Sequence, residues 1–357
     1  MTETKKVDPD GSTLLSAHKT TKRATHPGAT SLPFLSCSLF ACQNFIPYPF
    51  VTDKVFHYDV GHMALEIIDD AIWKCVGPQP GPIVCVLGGT HGNETTGIEL
   101  IHRLVAQVQE DRLSLSCGTL YLILGNPKAI ERNTRGSDDH LDLNRQFTPT
   151  VLTRAADGTY EVERAKVLAP ILMQADISID VHATNKPSVP MICGSGTPRH
   201  LDVFQWFDCQ NVLSDPHYVL GGQQVTTDEF VDANGGVGMC YESGQITDLS
   251  RVDQVMESVM NVLRSQKMLM DGKEPNPRYP EKVFYDLDRL IPLTAKGFQF
   301  APNKGLQSFE SFLEGDIIGF IGETPLTAPY DGVLMFPKIA EYWKIGAPVC
   351  YFAKKKL

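Results

Sequence analysis

Short apolar runs alternate with amphipathic segments along the central part of the chain. The apolar runs are bounded by Gly, Pro or polar residues and have the length of buried strands; they cover residues 82–88, 119–124, 176–181 and 238–242. The amphipathic segments repeat apolar residues at helical spacing and cover residues 96–108, 160–173 and 249–270. Strands that alternate with helices predict an α/β fold, in which a mainly parallel or mixed sheet is flanked by helices on both faces.

After residue 280 the pattern changes to short apolar stretches that are separated by Gly and Pro. Three of these stretches are typical of strands in a small all-β domain, at residues 313–322, 328–336 and 346–352. The domain resembles a lipoyl-like sandwich, but Lys338 lies in Phe-Pro-Lys-Ile-Ala, which is not the motif of a lipoyl-carrying lysine. We therefore predict an α/β domain over residues 48–280 and an all-β domain without a carrier role over residues 281–357.

The N-terminal part of the chain differs from both regions. Residues 1–30 are rich in Thr, Lys, Ser and Ala and have almost no periodic apolar pattern, which is typical of disorder. An apolar stretch at residues 32–42 follows basic residues, but it lies too far from the N-terminus for the apolar core of a signal peptide. We predict a disordered extension over residues 1–47, with a targeting segment or a short ordered element as the alternatives.

Composition narrows the classes of partner. The 357 residues contain 32 Lys and Arg against 42 Asp and Glu, a net charge of −10, which argues against a basic nucleic-acid-binding face. No apolar run approaches the roughly 18–20 residues of a membrane span, so we expect no membrane partner. The nine cysteines are scattered and form no Cys-x-x-Cys pair, which favours a reduced, cytoplasmic protein over a disulfide scaffold. The sequence leaves open whether copies of the chain form a homo-oligomer.

Polar residues stand where several of the predicted strands end. His91 and Glu94 follow the first strand, His182 follows the third, and Glu242 ends a further one. Because the carboxyl ends of parallel strands meet at one edge of a sheet, one crevice can collect all four side chains. Two His and one Glu, with a water, form a usual donor set of catalytic zinc, and we predict that the first three residues bind one Zn²⁺ per chain. The alternative is that His91 caps a helix and His182 packs in the core.

Several motifs occur in order between residues 88 and 244. The first is Gly88-Gly-Thr-His-Gly-Asn-Glu-Thr-Thr-Gly97, and the others lie at residues 125–129, 133–135, 142–147, 160–165, 180–182 and 241–244. Together they resemble the aspartoacylase/succinylglutamate desuccinylase family, which comprises zinc hydrolases related to the zinc carboxypeptidases. The resemblance implies a zinc-carboxypeptidase-like α/β fold with a second, all-β domain.

The resemblance also implies roles for individual residues beside the three metal ligands. Glu242 would be the general base and later the general acid, and Arg135 would polarise the scissile carbonyl. Asn144 and Arg145 would bind the carboxylate of the substrate, and Tyr342 from the β domain would contribute to the substrate pocket. From the residues alone, the two arginines could equally be solvated surface charges, and Glu242 could be a paired structural acid.

The reaction implied by the resemblance is hydrolysis of the amide bond of a small N-acyl amino acid. A metallocarboxypeptidase-like enzyme that acts on peptides would use the same residues, so cleft width must separate the two, and a metal-binding protein without catalysis is less favoured. Asp142 is expected to brace its loop rather than react. Asp232 falls where aspartoacylases carry an arginine for the side-chain carboxylate of aspartate, and an acid there would repel that carboxylate. A neutral, basic or differently oriented side chain is the alternative.

Overall fold

The computed structural model describes residues 65–137, 141–277 and 281–356. The extension that we predict over residues 1–47 lies outside these ranges. Among the described residues, no helix is both long and apolar enough to cross a bilayer.

The described chain alternates strands and helices up to residue 265 and is almost purely β-structured from residue 283 onward. The strands are β1 (Leu65–Asp69), β2 (Ile72–Val76), β3 (Ile83–Gly88), β4 (Thr119–Leu124), β5 (Ile177–Thr184), β6 (Met191–Cys193), β7 (Asn211–Ser214), β8 (Val237–Gln245), β9 (Val283–Pro292), β10 (Phe298–Phe300), β11 (Glu310–Phe312), β12 (Ile317–Ile321), β13 (Thr324–Thr327), β14 (Gly332–Met335) and β15 (Pro348–Lys355). The helices are α1 (Thr95–Gln109), α2 (Pro127–Arg132), α3 (Pro149–Thr153), α4 (Tyr160–Leu172), α5 (Pro198–Phe204), α6 (Thr227–Ala233) and α7 (Val252–Ser265), with 3₁₀ turns at Leu143–Arg145, Leu249–Arg251 and Ala340–Tyr342.

One large mixed sheet forms the centre of the described structure. Its strand order is β1-β2-β4-β3-β5-β8-β6-β7-β9-β15-β14-β11. The four neighbouring strands β4, β3, β5 and β8 run parallel to one another. Every residue of β5 is buried, as expected for a strand covered on both faces.

Helices cover both faces of this parallel centre. Val84 and Val86 of β3 belong to the core cluster that contains the apolar residues of α1 and α7. The alternate residues Cys85 and Leu87 belong to the cluster that contains those of α4. Successive side chains of a strand point to opposite faces, so the predicted α/β layering is confirmed.

The C-terminal region is rich in strands, as predicted, but most of them join the large sheet. β9 pairs in parallel with β7, and β15, β14 and β11 continue the sheet outward. Only β10, β12 and β13 form a separate three-stranded sheet among the described residues. The sheet therefore continues past residue 280, and the division into domains at that point stays a prediction.

Two predicted elements differ in length from the observed ones, and both differences have a local cause. β5 continues beyond the predicted residue 181 because it keeps pairing with β8 up to Thr184, so His182 lies within the strand. The helix predicted up to residue 270 ends at Ser265, because Lys267 adopts a left-handed conformation (φ 56°) and turns the chain back. Leu269 then pairs with Leu115 in an isolated β-bridge.

Candidate metal centre and active site

The ends of the central strands bring the predicted site residues together. His182 of β5 and Glu242 of β8 are direct partners in the parallel ladder. β3 ends at Gly88, and the loop from there to α1 carries His91 and Glu94. A Cβ on Gly92 in this loop would lie 2.0 Å from the carbonyl carbon of Ala129, so only glycine allows the loop to pack this closely.

His91, Glu94 and His182 form a compact buried cluster. Their potential ligand atoms all lie within 4.8 Å of one another, and each residue is at most 3% exposed. Glu94 Oε1 is 2.8 Å from His91 Nδ1, and Glu94 Oε2 is 2.9 Å from His182 Nδ1. Glu94 stands at the N-terminus of α1 but its side chain does not cap the helix. The carboxylate instead accepts a hydrogen bond from Ala183 N.

The donor set of this cluster fits one zinc ion. Two imidazole nitrogens, the Nδ1 atoms of His91 and His182, lie 3.1 Å apart and converge with the carboxylate of Glu94. Tetrahedral zinc places its ligand atoms about 3.3 Å apart, close to these separations. Burial opposes charge on His182, but Asp180 and Glu94 raise its pKa well above the ordinary value. The cluster thus favours a positive charge at its centre, which a metal ion would supply in place of a proton.

Asp142 connects the His–Glu–His cluster to Arg135. Its Oδ1 atom lies 2.8 Å from Nε2 of His91, which leaves the Nδ1 atom of that ring free to act as a ligand. Its Oδ2 atom accepts a hydrogen bond from Arg135 Nη2 at 2.8 Å, and its Oδ1 also accepts one from Asn144 N. Burial opposes ionisation of this carboxyl, but Arg135 and His91 hold its pKa well below the ordinary range. Asp142 thus occupies the bracing position that we expected.

Asp180 supports the second histidine from behind. Its Oδ2 atom lies 3.0 Å from His182 Nε2, in an ion-pair contact that is not aligned as a hydrogen bond. Its carboxylate also accepts hydrogen bonds from Thr90 and Thr227. Sequence reasoning gave Asp180 no role, although the signal was present: residues two apart on a strand share a face, and Asp180 precedes His182 by two.

Glu242 has the protonation behaviour of a general base or acid. Burial and the neighbouring Glu94 raise its pKa to about 7, although His182, His91 and Arg135 act in the opposite direction. Its Oε2 atom is buried and has no hydrogen-bond partner among the described residues. A carboxyl group with a pKa near neutrality can exchange a proton with a bound substrate or water.

Arg135 lies in a loop that buried polar residues hold in place. Glu161 accepts hydrogen bonds from Ser137 N and Asn126 Nδ2. Arg164 donates to the carbonyl oxygens of Leu124 and Gly125. These contacts explain the motif at residues 160–165 as a structural support. Arg135 itself is 39% exposed, and its Nη1 atom lies 3.6 Å from Glu94 Oε1.

Comparison with known proteins agrees with this arrangement. Residues 80–264, more than half of the chain, match the model of the succinylglutamate desuccinylase/aspartoacylase catalytic domain. The chain belongs to this family. The family comprises hydrolases of N-acyl amino acids, and the resemblance inferred from the motifs is confirmed.

Individual relatives and structures support the same assignment. Succinylglutamate desuccinylase of Burkholderia pseudomallei is 33% identical over 259 residues, which cover 67% of this chain and 70% of that protein. The structure of succinylglutamate desuccinylase from Vibrio parahaemolyticus is similar with a TM-score of 0.65 at 17% identity, covering 83% of this chain and 89% of that one. The structure of murine aminoacylase 3 is similar with a TM-score of 0.61 at 20% identity. That match covers 78% of this chain and 97% of the aminoacylase chain. At these identities the two structures show a shared fold.

In this family member, the cluster of two histidines and Glu94 lies in a cavity of about 400 Å³. Seven of the eight predicted site residues line it: His91, Glu94, Arg135, Asn144, Arg145, His182 and Glu242. Asn144 is held by a hydrogen bond from Thr227 N to its Oδ1 atom, at 2.9 Å. Arg145 Nη1 donates to the carbonyl oxygen of Asn144 at 2.7 Å. The structure thus places the predicted carboxylate-binding pair beside the start of α6.

The C-terminal region contributes different residues from the one predicted. Tyr342 ends the 3₁₀ turn at Ala340–Tyr342, is 39% exposed and is not among the residues that line the cavity. Lys338 and Tyr351 line it instead. Burial lowers the pKa of Lys338 to about 8, and the positive charges of Arg135 and Arg145 act in the same direction. No motif of the sequence had singled out either residue for the site.

Proposed function

We propose that this protein is a zinc-dependent amidohydrolase that cleaves the amide bond of a small N-acyl amino acid. The observation that carries the proposal is the convergence of His91, Glu94 and His182 in one buried cluster, beside Glu242 in the same cavity. These residues are contributed by three separate parts of the chain: the loop after β3, β5 and β8. Membership of a hydrolase family supports the same conclusion.

In this proposal His91, Glu94 and His182 would hold one zinc ion. When bound, zinc supplies Lewis-acid chemistry that lowers the pKa of water to about 7. Asp142 and Asp180 contact the Nε2 atoms of the two rings, so the Nδ1 atoms would be the ones that hold zinc.

Glu242 and Arg135 would perform the remaining chemistry. Glu242 accepts a proton from the attacking water and donates it to the departing amine nitrogen, a role for which a pKa near neutrality is suited. Arg135, fixed by Asp142, donates hydrogen bonds to the carbonyl oxygen as negative charge develops on it.

Asn144 and Arg145 would bind the substrate carboxylate, because the guanidinium can donate two parallel hydrogen bonds to it. Lys338 and Tyr351 of the C-terminal region line the same cavity. A cavity of about 400 Å³ bounded by these residues has room for a small acylated amino acid.

We also propose a cytoplasmic location. All seven cysteines of the described residues are free thiols. In the part of the chain that the structure describes, a reducing compartment is therefore compatible with every cysteine.

The test is hydrolysis of a panel of N-acetyl and N-succinyl amino acids by purified zinc-loaded protein. We expect carboxylate release from at least one substrate, loss of turnover after chelation and recovery with added Zn²⁺. A Glu242→Gln variant that retains zinc is the matched control for a non-enzymatic release. Zinc-loaded protein that turns over no member of the panel would contradict the proposal.

A further inference from the structure

Both basic and acidic side chains line the catalytic cavity. Arg135 and Arg145 both act on the pKa of Lys338, so these three cations share one part of it. Asp228 and Asp232 of α6 also line the cavity, and Asp232 acts on the pKa of Asp228. We call the part of the cavity at these two carboxylates the acidic lobe. The lining residues Lys186 and Lys356 have partners elsewhere, the carbonyl oxygen of Gly305 and the carboxylate of Asp286.

Asp228 is a buried acid without a counter-charge. It is only 9% exposed, and no Lys, Arg or His nitrogen of the described residues forms an ion pair with it. Burial and the adjacent Glu229 raise its pKa to about 7, while a hydrogen bond from Thr226 acts against them. The N-terminus of α6 does not need Asp228, because Thr226 and Glu229 form a complete capping box. Asp228 is thus a buried acid that has hydrogen-bond donors but no cation beside it, and a cationic ligand in the cavity would supply that missing partner.

Asp232 accepts hydrogen bonds from three neighbouring residues. Its carboxylate accepts from Ser195 Oγ, Gly238 N and His200 Nε2 at 2.8 to 2.9 Å. The Nδ1 atom of His200 lies 2.7 Å from the hydroxyl of Thr197, which can donate to it. His200 therefore bridges Asp232 and Thr197 through its two ring nitrogens, and it is the ring nitrogen that contacts this carboxylate among the described residues.

The acidic lobe adjoins the place where the substrate carboxylate would bind. Asn144 accepts a hydrogen bond from the backbone N–H of Thr227, and Asp228 is the next residue. In an α-amino acid the carboxylate and the side chain leave the same carbon atom. A substrate held at Asn144 and Arg145 can therefore extend its side chain into the lobe, where Asp228 and Asp232 are.

We propose that the acidic lobe binds a positively charged side chain, so that the enzyme prefers N-acyl derivatives of basic amino acids. This inference rests on the proposed function and adds the class of amino acid. A cationic side chain would supply the missing counter-charge of Asp228. An acidic side chain, as in N-acyl aspartate or glutamate, would meet two carboxylates in a site of low exposure.

The test compares kcat/KM for three matched substrates: the Nα-acyl derivatives of lysine, norleucine and glutamate, each with an acetyl and with a succinyl group. Norleucine has nearly the shape of lysine without the ammonium group. We expect kcat/KM for the lysine derivative to exceed that for the norleucine derivative by at least about tenfold. The glutamate derivative should have the lowest kcat/KM. Equal values for lysine and norleucine, or preference for glutamate, would overturn the inference while leaving the proposed function intact. No turnover of any N-acyl amino acid would instead refute the proposed function.

Variants locate the effect within the cavity. Asp228→Asn and Asp232→Asn should each lower the ratio of lysine to norleucine kcat/KM at least about threefold, through a higher KM for lysine. Asp286→Asn is the control, because it removes one negative charge from the same cavity wall at a carboxylate that lies 3.5 Å from Lys356 Nζ. We expect it to leave the ratio unchanged. If both acidic-lobe variants fold and keep the wild-type ratio, the assignment is wrong; if either fails to fold, the substrate comparison on the unmodified protein still decides.

Discussion

The cluster of His91, Glu94 and His182 and the C-terminal wall of the cavity, which contains Lys338 and Tyr351, are built in different ways. His182 lies in the parallel ladder beside Glu242, and His91 and Glu94 lie on the short loop between the neighbouring strand β3 and α1. Tyr351 lies on β15 in the antiparallel C-terminal part of the large sheet, and Lys338 lies on the loop after β14, where its backbone N–H donates to Val349 O. The first arrangement follows from local patterns, whereas the second depends on how distant segments pack. Catalytic chemistry is therefore easier to predict from this chain than substrate recognition is.

The largest effect should come from a change beside the His–Glu–His cluster, where the proposed chemistry takes place. Glu242→Gln keeps the size of the side chain but removes the proton acceptor, so kcat should fall by roughly 10²–10⁴-fold. Zinc content should be unchanged, because Glu242 is not among the three predicted ligands. Steady-state kinetics with metal analysis on the same sample measures both quantities. A variant with near wild-type kcat would remove Glu242 from its role.

The next largest effect should come from Arg135→Ala. We expect kcat to fall by roughly 10²–10³-fold, because a fixed donor to the developing oxyanion is lost. Arg135→Lys keeps the charge but not the two contacts to Asp142, and we expect it to recover only part of the rate. A purely structural role would instead lower the melting temperature of both variants without a specific loss in kcat.

Asp142→Asn tests the support behind the metal ligand. The neutral amide cannot hold the His91 ring as a carboxylate does, so zinc affinity should weaken by roughly 10–100-fold. Competition with a chelator of known affinity measures the change. Unaltered zinc affinity would show that Asp142 acts only on Arg135.

Changes in the C-terminal wall should have a smaller effect, and they test directly which residue of this region contacts the substrate. Lys338→Met should raise KM by roughly tenfold, because one cation facing the substrate carboxylate is lost. Tyr342→Phe should leave KM nearly unchanged, because the structure places Tyr342 outside the cavity. The opposite pair of results would restore the role predicted for Tyr342 from the sequence.

The smallest effect concerns stability and the buried charge of Asp228. Its pKa is about 7 in the folded protein, above the value of roughly 4 in an unfolded chain, so the folded state binds the proton more tightly. The cost of ionising it is therefore absent below pH 4 and fully present above pH 7. Asp228→Asn should raise the melting temperature by about 2–4 °C at pH 8 relative to wild type, and by less at pH 4.5. An equal shift at both pH values would contradict the buried charge.

The sequence predicted the central strands, their helices and the convergence at the strand ends, because each depends on apolar periodicity and on a short loop. β9 was not predicted, since its partly buried residues lack a clear alternation and its pairing with β7 is set by tertiary packing. Lys338 and Tyr342 lie only four residues apart on a loop and a 3₁₀ turn. No local pattern could decide which of the two faces the cavity.

The central claim is that His91, Glu94 and His182 bind one catalytic zinc ion. Elemental analysis of purified wild-type protein, His182→Ala and Glu242→Gln tests it most directly. We predict one zinc per chain in the wild type and in Glu242→Gln, and loss of zinc in a folded His182→Ala variant. Wild-type protein that takes up no zinc, or a His182→Ala variant that retains one zinc with undiminished affinity, would contradict the claim.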